Sequence, residues 1–169
     1  EVVASTLDKI KQKNMRILFL DIDGVICTSA CYGVGKDNKW DAYMFDPKCV
    51  AVLNFILQET GAEIILSSDW RHQYTLQEMR EIFAHNFVFK GPIGFTPSHK
   101  TDAMDLEGGR VGEIKAWLKL HAWKEDIKWV AVDDLNMDEG LFPNFVLCPR
   151  EAEGIKRTGI KDKILEKLR

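Results

Sequence analysis

The sequence predicts an α/β fold, a parallel sheet wrapped by helices, and three observations lead to it. Strand-like and helix-like stretches alternate along the chain, several apolar runs end abruptly in polar clusters, and glycine or proline punctuates the joins. Parallel strands present their carboxyl ends to one edge of the sheet, which is where open α/β sheets bind ligands.

The elements follow in order. The first strand, Arg16 to Leu20, runs into Asp21-Ile22-Asp23-Gly24. The first helix opens with Asp46 as N-cap and Pro47 at its first position, and it stops at Gly61 after Thr60. Val50, Leu53, Phe55, Ile56 and Leu57 give it an apolar stripe. A second strand, Glu63 to Ser67, leads into Ser68-Asp69-Trp70-Arg71. Thr75 and Glu78 form the capping box of a helix over Leu76 to His85. Phe87 to Lys90 reads as the third strand, and a third helix begins near Gly112 with Ile114, Trp117, Leu118 and His121 on its core face. The fourth strand, Lys128 to Val132, ends in Asp133-Asp134, with Asp138 four residues on. Asn144 to Leu147 forms the fifth strand and Lys161 to Leu168 the last helix. With no internal repeat, residues 1–14 read as an N-terminal extension and 15–169 as one domain.

Composition sets the bounds. A chain of 169 residues, 46% hydrophobic and 29% charged, can bury a substantial single core. A net charge of -3 argues against a generally basic nucleic-acid binder, so no stable nucleic-acid complex is expected. No apolar stretch approaches membrane-spanning length and no signal-peptide core is present, which predicts a cytoplasmic protein without a membrane partner. Cys27, Cys31, Cys49 and Cys148 fit reduced thiols better than a disulfide framework. Cys27 and Cys31 are spaced like zinc ligands but lack a second pair, and His72, His85, His99 and His121 form no ligand motif.

The strand ends carry the chemistry. In extended chain Asp21 and Asp23 can face one pocket while Ile22 points away, and Gly24 lets the chain turn. Two carboxylates so close repel unless a cation compensates, and a hard divalent ion with oxygen ligands suits them. An isolated Asp-Gly or Asp-Asp after a strand is ordinarily a turn. Two acidic strand ends and a hydroxyl strand end on one sheet edge are harder to explain that way. Such an edge can perform phosphoryl transfer: Asp21 as nucleophile, and Asp23 as general acid and then general base. Asp134, with Asp133, Asp138 and the first pair, would ligate Mg²⁺. Ser67, Ser68 and the amides around Gly24 and Asp69 would bind phosphate oxygens, with a basic side chain neutralising transition-state charge.

These residues make the sequence resemble the haloacid dehalogenase (HAD) superfamily of phosphohydrolases. Its first motif, Asp-x-Asp-Gly, is matched by Asp21 to Gly24, its second by Ser68 in preference to Ser67, and its fourth by Asp133, Asp134 and Asp138. The resemblance spans roughly residues 15 to 150 and implies a three-layer Rossmann-like sheet in strand order 5-4-1-2-3, Mg²⁺ dependence and phosphatase activity. The family's third motif is usually a Lys; here Arg110 takes the nearest position, and Lys115 is the runner-up. Gly108-Gly109 reads as a flexible loop, and there is no P-loop.

The intervals between motifs leave little room for the cap domain of relatives with small-molecule substrates. An uncapped site resembles members acting on phosphoproteins or nucleic-acid ends, and Ser-Ser-Asp-Trp-Arg also resembles uncapped domains of RNA-repair enzymes, with Asp69 and Arg71 beside the substrate. The loop from Cys27 to Phe45, with Tyr32, Lys36, Lys39, Trp40 and Tyr43, is either an aromatic, basic rim for such a substrate or a flap packed on the core. The expected activity is a Mg²⁺-dependent phosphatase acting through an aspartyl-phosphate. The alternatives are a phosphoacceptor signalling module and an inactive binding domain.

Overall fold

The computed structural model describes residues 15–31, 45–99, 109–121 and 127–169. The N-terminal extension, the aromatic and basic positions of the 32–44 loop, and Gly108 lie outside them. Among the described residues the elements are β1 (Arg16–Leu20), α1 (Pro47–Thr60), β2 (Glu63–Leu66), α2 (Leu76–His85), β3 (Gly94–Phe95), α3 (Gly109–His121), β4 (Lys128–Asp133), α4 (Asp138–Leu141), β5 (Phe145–Leu147) and α5 (Ile160–Leu168). The five strands form one parallel sheet in the order β3-β2-β1-β4-β5, the expected arrangement read from its other edge.

Alternation along the strands builds the three layers. Leu18 and Leu20 of β1, Ile64 and Leu66 of β2, and Val130 and Val132 of β4 point to one face, where α1, α2 and α5 contribute Leu53, Ile56, Phe83 and Ile164. Ile17, Phe19, Ile65 and Ala131 point to the other, against Ile114 and Trp117 of α3 and Leu141 of α4. Phe19 meets Trp117 edge-on, with ring centroids 5.3 Å apart. Cys49 fills the first core, where burial pushes its thiol up to about 11 and keeps it protonated. No inserted cap domain appears among the described residues, and no described helix is long and apolar enough to cross a membrane.

The capping chemistry read from the sequence is present. Asp46 accepts from the Lys48 amide at 2.9 Å, Gly61 closes α1 in the left-handed region at φ 68°, and Thr75 and Glu78 exchange both bonds of their box. Asp46 does more than cap. It also accepts from the buried Thr28 hydroxyl at 3.0 Å and from Lys156. Burial would raise its pKa, but the bonds from Lys156, the Lys48 amide and Thr28 outweigh burial and hold it below the usual carboxylate value. Its stabilisation is therefore present above the unfolded-state pKa of about 3.9 and is lost as pH falls through the lower folded value. Asp46→Ala is expected to cost about 2 kcal/mol in urea titrations at pH 7, and Asp46→Asn less, because the amide oxygen still caps.

Two expectations are corrected. The third strand is Gly94–Phe95, and Phe87 to Lys90 is irregular chain after α2. Its backbone is already claimed: Val88 N donates to Phe83 O, and the Asn54 side chain donates to Phe87 O and accepts from Phe89 N. Phe87 has φ 63° and is 85% exposed, so the Phe-Val-Phe alternation buries only its middle residue. Second, α3 starts at Gly109, not near Gly112, which brings Arg110 into its first turn.

Candidate active site

Strand register assembles the site. Leu20 lies level with Leu66 and Val132, and one residue further the Asp21 amide donates to Val132 O while the Ser67 amide donates to Leu20 O. Asp21, Ser67 and Asp133 thus stand side by side at the carboxyl edge. Continuing the alternation, they project to the α3 face, beyond Phe19, Ile65 and Ala131. All three are buried; Asp21 is 4% exposed.

The chain then turns tightly. The amides of Val25, Ile26 and Cys27 all donate to Ile22 O, and the Gly24 amide donates to Cys27 O. Gly24 has φ 75°, and a Cβ there would lie 2.4 Å from Asp134 Oδ2. Glycine is required on both counts, since it permits the left-handed turn and leaves space for the carboxylate. Asp21, Asp133 and Asp134 each offer an oxygen within 4.8 Å of the others. Such a trio is strained electrostatically. Burial first, then the Asp133 carboxylate, pushes the Asp21 pKa well above the usual range, and Arg110 offsets this only in part. Burial and Asp133 likewise raise Asp134.

Arg110 is the cation set into this cluster. Its Nη1 donates to both Asp133 oxygens at 3.0 and 2.8 Å and lies 3.3 Å from Asp21 Oδ2, while its Nη2 is 3.7 Å from Asp69 Oδ2. A cation in a first helical turn opposes the helix dipole, so these three carboxylates and not α3 account for its place. Lys115 is exposed.

The other expected residues separate by geometry. Asp23 is exposed at the site mouth and accepts from Trp70 Nε1 at 2.9 Å. Ser68 is buried, and its Oγ accepts from the Trp70 amide at 3.3 Å, capping the 3-10 turn Asp69–His72. Ser67, in contrast, carries an Oγ without a hydrogen-bond partner among the described residues. Arg71 is committed elsewhere: its Nη2 pairs with Glu113 Oε1 at 2.8 Å and its Nη1 donates to Ser68 O at 3.2 Å. Asp138 begins α4, exposed and outside the carboxylate trio.

Two residues here carried no assignment from sequence. Glu113, 1% exposed, also accepts from the His99 amide at 2.9 Å, tying α3 to the turn after β2 and to the chain after β3. Its spacing of three from Arg110 on one helix face was the available signal. Trp70 stood inside the Ser-Ser-Asp-Trp-Arg cluster, but nothing local says that its indole reaches Asp23.

No curated protein and no solved structure gives a significant match to the chain. Residues 17–159, however, match the family described as the HAD domain in Swiss Army Knife RNA repair proteins. That span runs from β1 to the residue before α5 and contains the carboxylate trio, Arg110 and the turn after β2. The chain therefore belongs to the HAD domains of Swiss Army Knife RNA repair proteins.

Proposed function

We propose that the protein is a Mg²⁺-dependent phosphomonoesterase that forms an aspartyl-phosphate at Asp21. The observation that carries this reading is the meeting of Asp21, Asp133 and Asp134 with Arg110 at one sheet edge. Three oxygen donors of like charge, with a glycine at 24 making room for one of them, fit a hard divalent cation. Asp21, Asp133 and Asp134 would hold it. Mg²⁺ bound there neutralises charge between an anionic nucleophile and an anionic phosphoryl group.

The protein's own groups do the rest. An Asp21 oxygen forms a bond to phosphorus as the bond to the ester oxygen breaks, and the departing oxygen takes the Asp23 proton. Asp23, now a carboxylate, takes a proton from water as the water oxygen bonds to phosphorus, and the electron pair of the broken bond returns to Asp21. Burial, the largest influence, raises the Asp23 pKa despite the Trp70 bond, which suits a group that must start protonated. The Ser67 hydroxyl, aligned with Asp21 and unpartnered, binds a phosphoryl oxygen, and Arg110 balances the charge that develops.

The family description and the absence of an inserted cap among the described residues favour a nucleic-acid end over a phosphopeptide as substrate. Oligonucleotides with 3′- or 5′-phosphates and a phosphopeptide panel, each assayed for phosphate release with Mg²⁺ and with EDTA, test this. Metal-dependent release from the oligonucleotides is expected. Turnover of phosphopeptides alone reassigns the substrate, and activity unaffected by EDTA contradicts the metal assignment.

A further inference from the structure

Asp23 has a fixed hydrogen-bond donor from a distant part of the chain. Trp70 lies 47 residues away on the 3-10 turn after β2, and its Nε1 donates to Asp23 Oδ2 at 2.9 Å. We propose that Trp70 is a positioning residue for acid–base catalysis, holding the Asp23 carboxyl by Oδ2 and leaving Oδ1 to exchange a proton with the leaving oxygen. The inference rests on the phosphatase reading above.

An indole N–H can only donate, so it claims one carboxyl oxygen as an acceptor. A neutral carboxylic acid has one carbonyl-like oxygen and one hydroxyl, and the carbonyl-like oxygen is the better acceptor. With Oδ2 claimed by the indole, Oδ1 is the oxygen left to exchange a proton with the substrate. Without the indole, the exposed carboxyl is free to rotate and to place its proton on either oxygen.

The indole is itself held firmly. Its ring packs between Phe45 and Tyr74, with centroids 6.0 and 6.1 Å away and tilts of 53° and 47°. Its backbone amide donates to Ser68 Oγ, and its carbonyl accepts from the Gln73 and Tyr74 amides at 3.0 and 3.1 Å. Arg71, next in the chain, is clamped by buried Glu113. These contacts give Ser68 a structural role: it caps the turn that aims Trp70. Asp23 is likewise held in the tight loop between Ile22 and Cys27, so both partners stand on braced backbone.

General acid catalysis matters only where the leaving oxygen needs a proton. Nitrophenolate departs without one, whereas a ribose hydroxyl does not. Trp70→Phe keeps an aromatic ring between Phe45 and Tyr74 but removes the N–H together with the second ring, whereas benzothienylalanine at position 70, with sulfur replacing the N–H, keeps the full ring size and removes the donor alone. Both variants are expected to lose at least ~10-fold more kcat/KM on a 3′-phosphorylated oligonucleotide than on para-nitrophenyl phosphate. In an Asp23→Asn background the same changes are expected to add no further selective loss, since two residues acting as one unit are not additive. Equal losses on the two substrates, or full additivity with Asp23→Asn, would overturn the role of Trp70. A wild-type protein inactive on both substrates would instead overturn the phosphatase reading itself.

Discussion

Asp21→Asn is expected to lower kcat by at least about 10³-fold while raising the melting temperature of the EDTA-treated protein. The two effects have one origin. Asp21 is 4% exposed beside Asp133 and Asp134, so its charge is held against desolvation and against two like charges. Arg110 relieves this only partly. Asparagine keeps the shape and removes the charge, which should ease the metal-free fold and eliminate the proposed nucleophile. Mg²⁺ should stabilise the wild type, by about 2.7 kcal/mol at a hundredfold excess over Kd, and should stabilise Asp21→Asn less. Calorimetry with and without Mg²⁺ measures this independently of turnover. Substantial phosphate release by a folded Asp21→Asn protein would refute the covalent route.

Arg110→Ala should fail in the opposite sense, losing activity and stability together. Its removal leaves Asp21 and Asp133 buried with no cation between them, an omission that typically costs about 3–5 kcal/mol. Turnover should fall by about 10²-fold or more, as for loss of a preorganised charge at a reacting centre. Arg110→Lys restores the charge but not the reach. The native guanidinium touches Asp133 and Asp21 through Nη1 and Asp69 through Nη2, and one ammonium cannot span that set. Lys is therefore expected to recover more stability than activity. A urea midpoint for Arg110→Ala matching the wild type would show that the carboxylates are compensated by other groups.

What the sequence made legible was whatever depends on neighbours in the chain. The apolar runs before Asp21 and Asp133, the Asp46 cap and the Thr75–Glu78 box are all local, and from them came the sheet and most of its helices. The third strand was misread because Phe87 to Lys90 shows local alternation while Asn54, more than thirty residues away, takes its hydrogen-bonding groups. The two-residue β3, with a glycine, offers almost no pattern to read. Spacing from Gly61 carries no information on where β2 stands against β1. In the structure Ser67 is level with Asp21, and the Ser68 hydroxyl serves its own turn. That Arg71 pairs with Glu113 was not legible either, because Glu113 lies on a helix 42 residues later.

The side-by-side placement of Asp21, Ser67 and Asp133 makes the site a matter of parity. Each of β1, β2 and β4 delivers its polar residue to the same side because it stands two positions beyond its last neighbour in the α3-side core: Phe19 to Asp21, Ile65 to Ser67, Ala131 to Asp133. Inserting or deleting one residue within a strand would swing its reactive group across the sheet, into the company of Leu20, Leu66 and Val132. Substitutions would retune such a site by degrees. A single-residue shift in any of the three strands would act as an all-or-none change, and by that reckoning strand length is as much a part of the proposed catalytic apparatus as the carboxylates themselves.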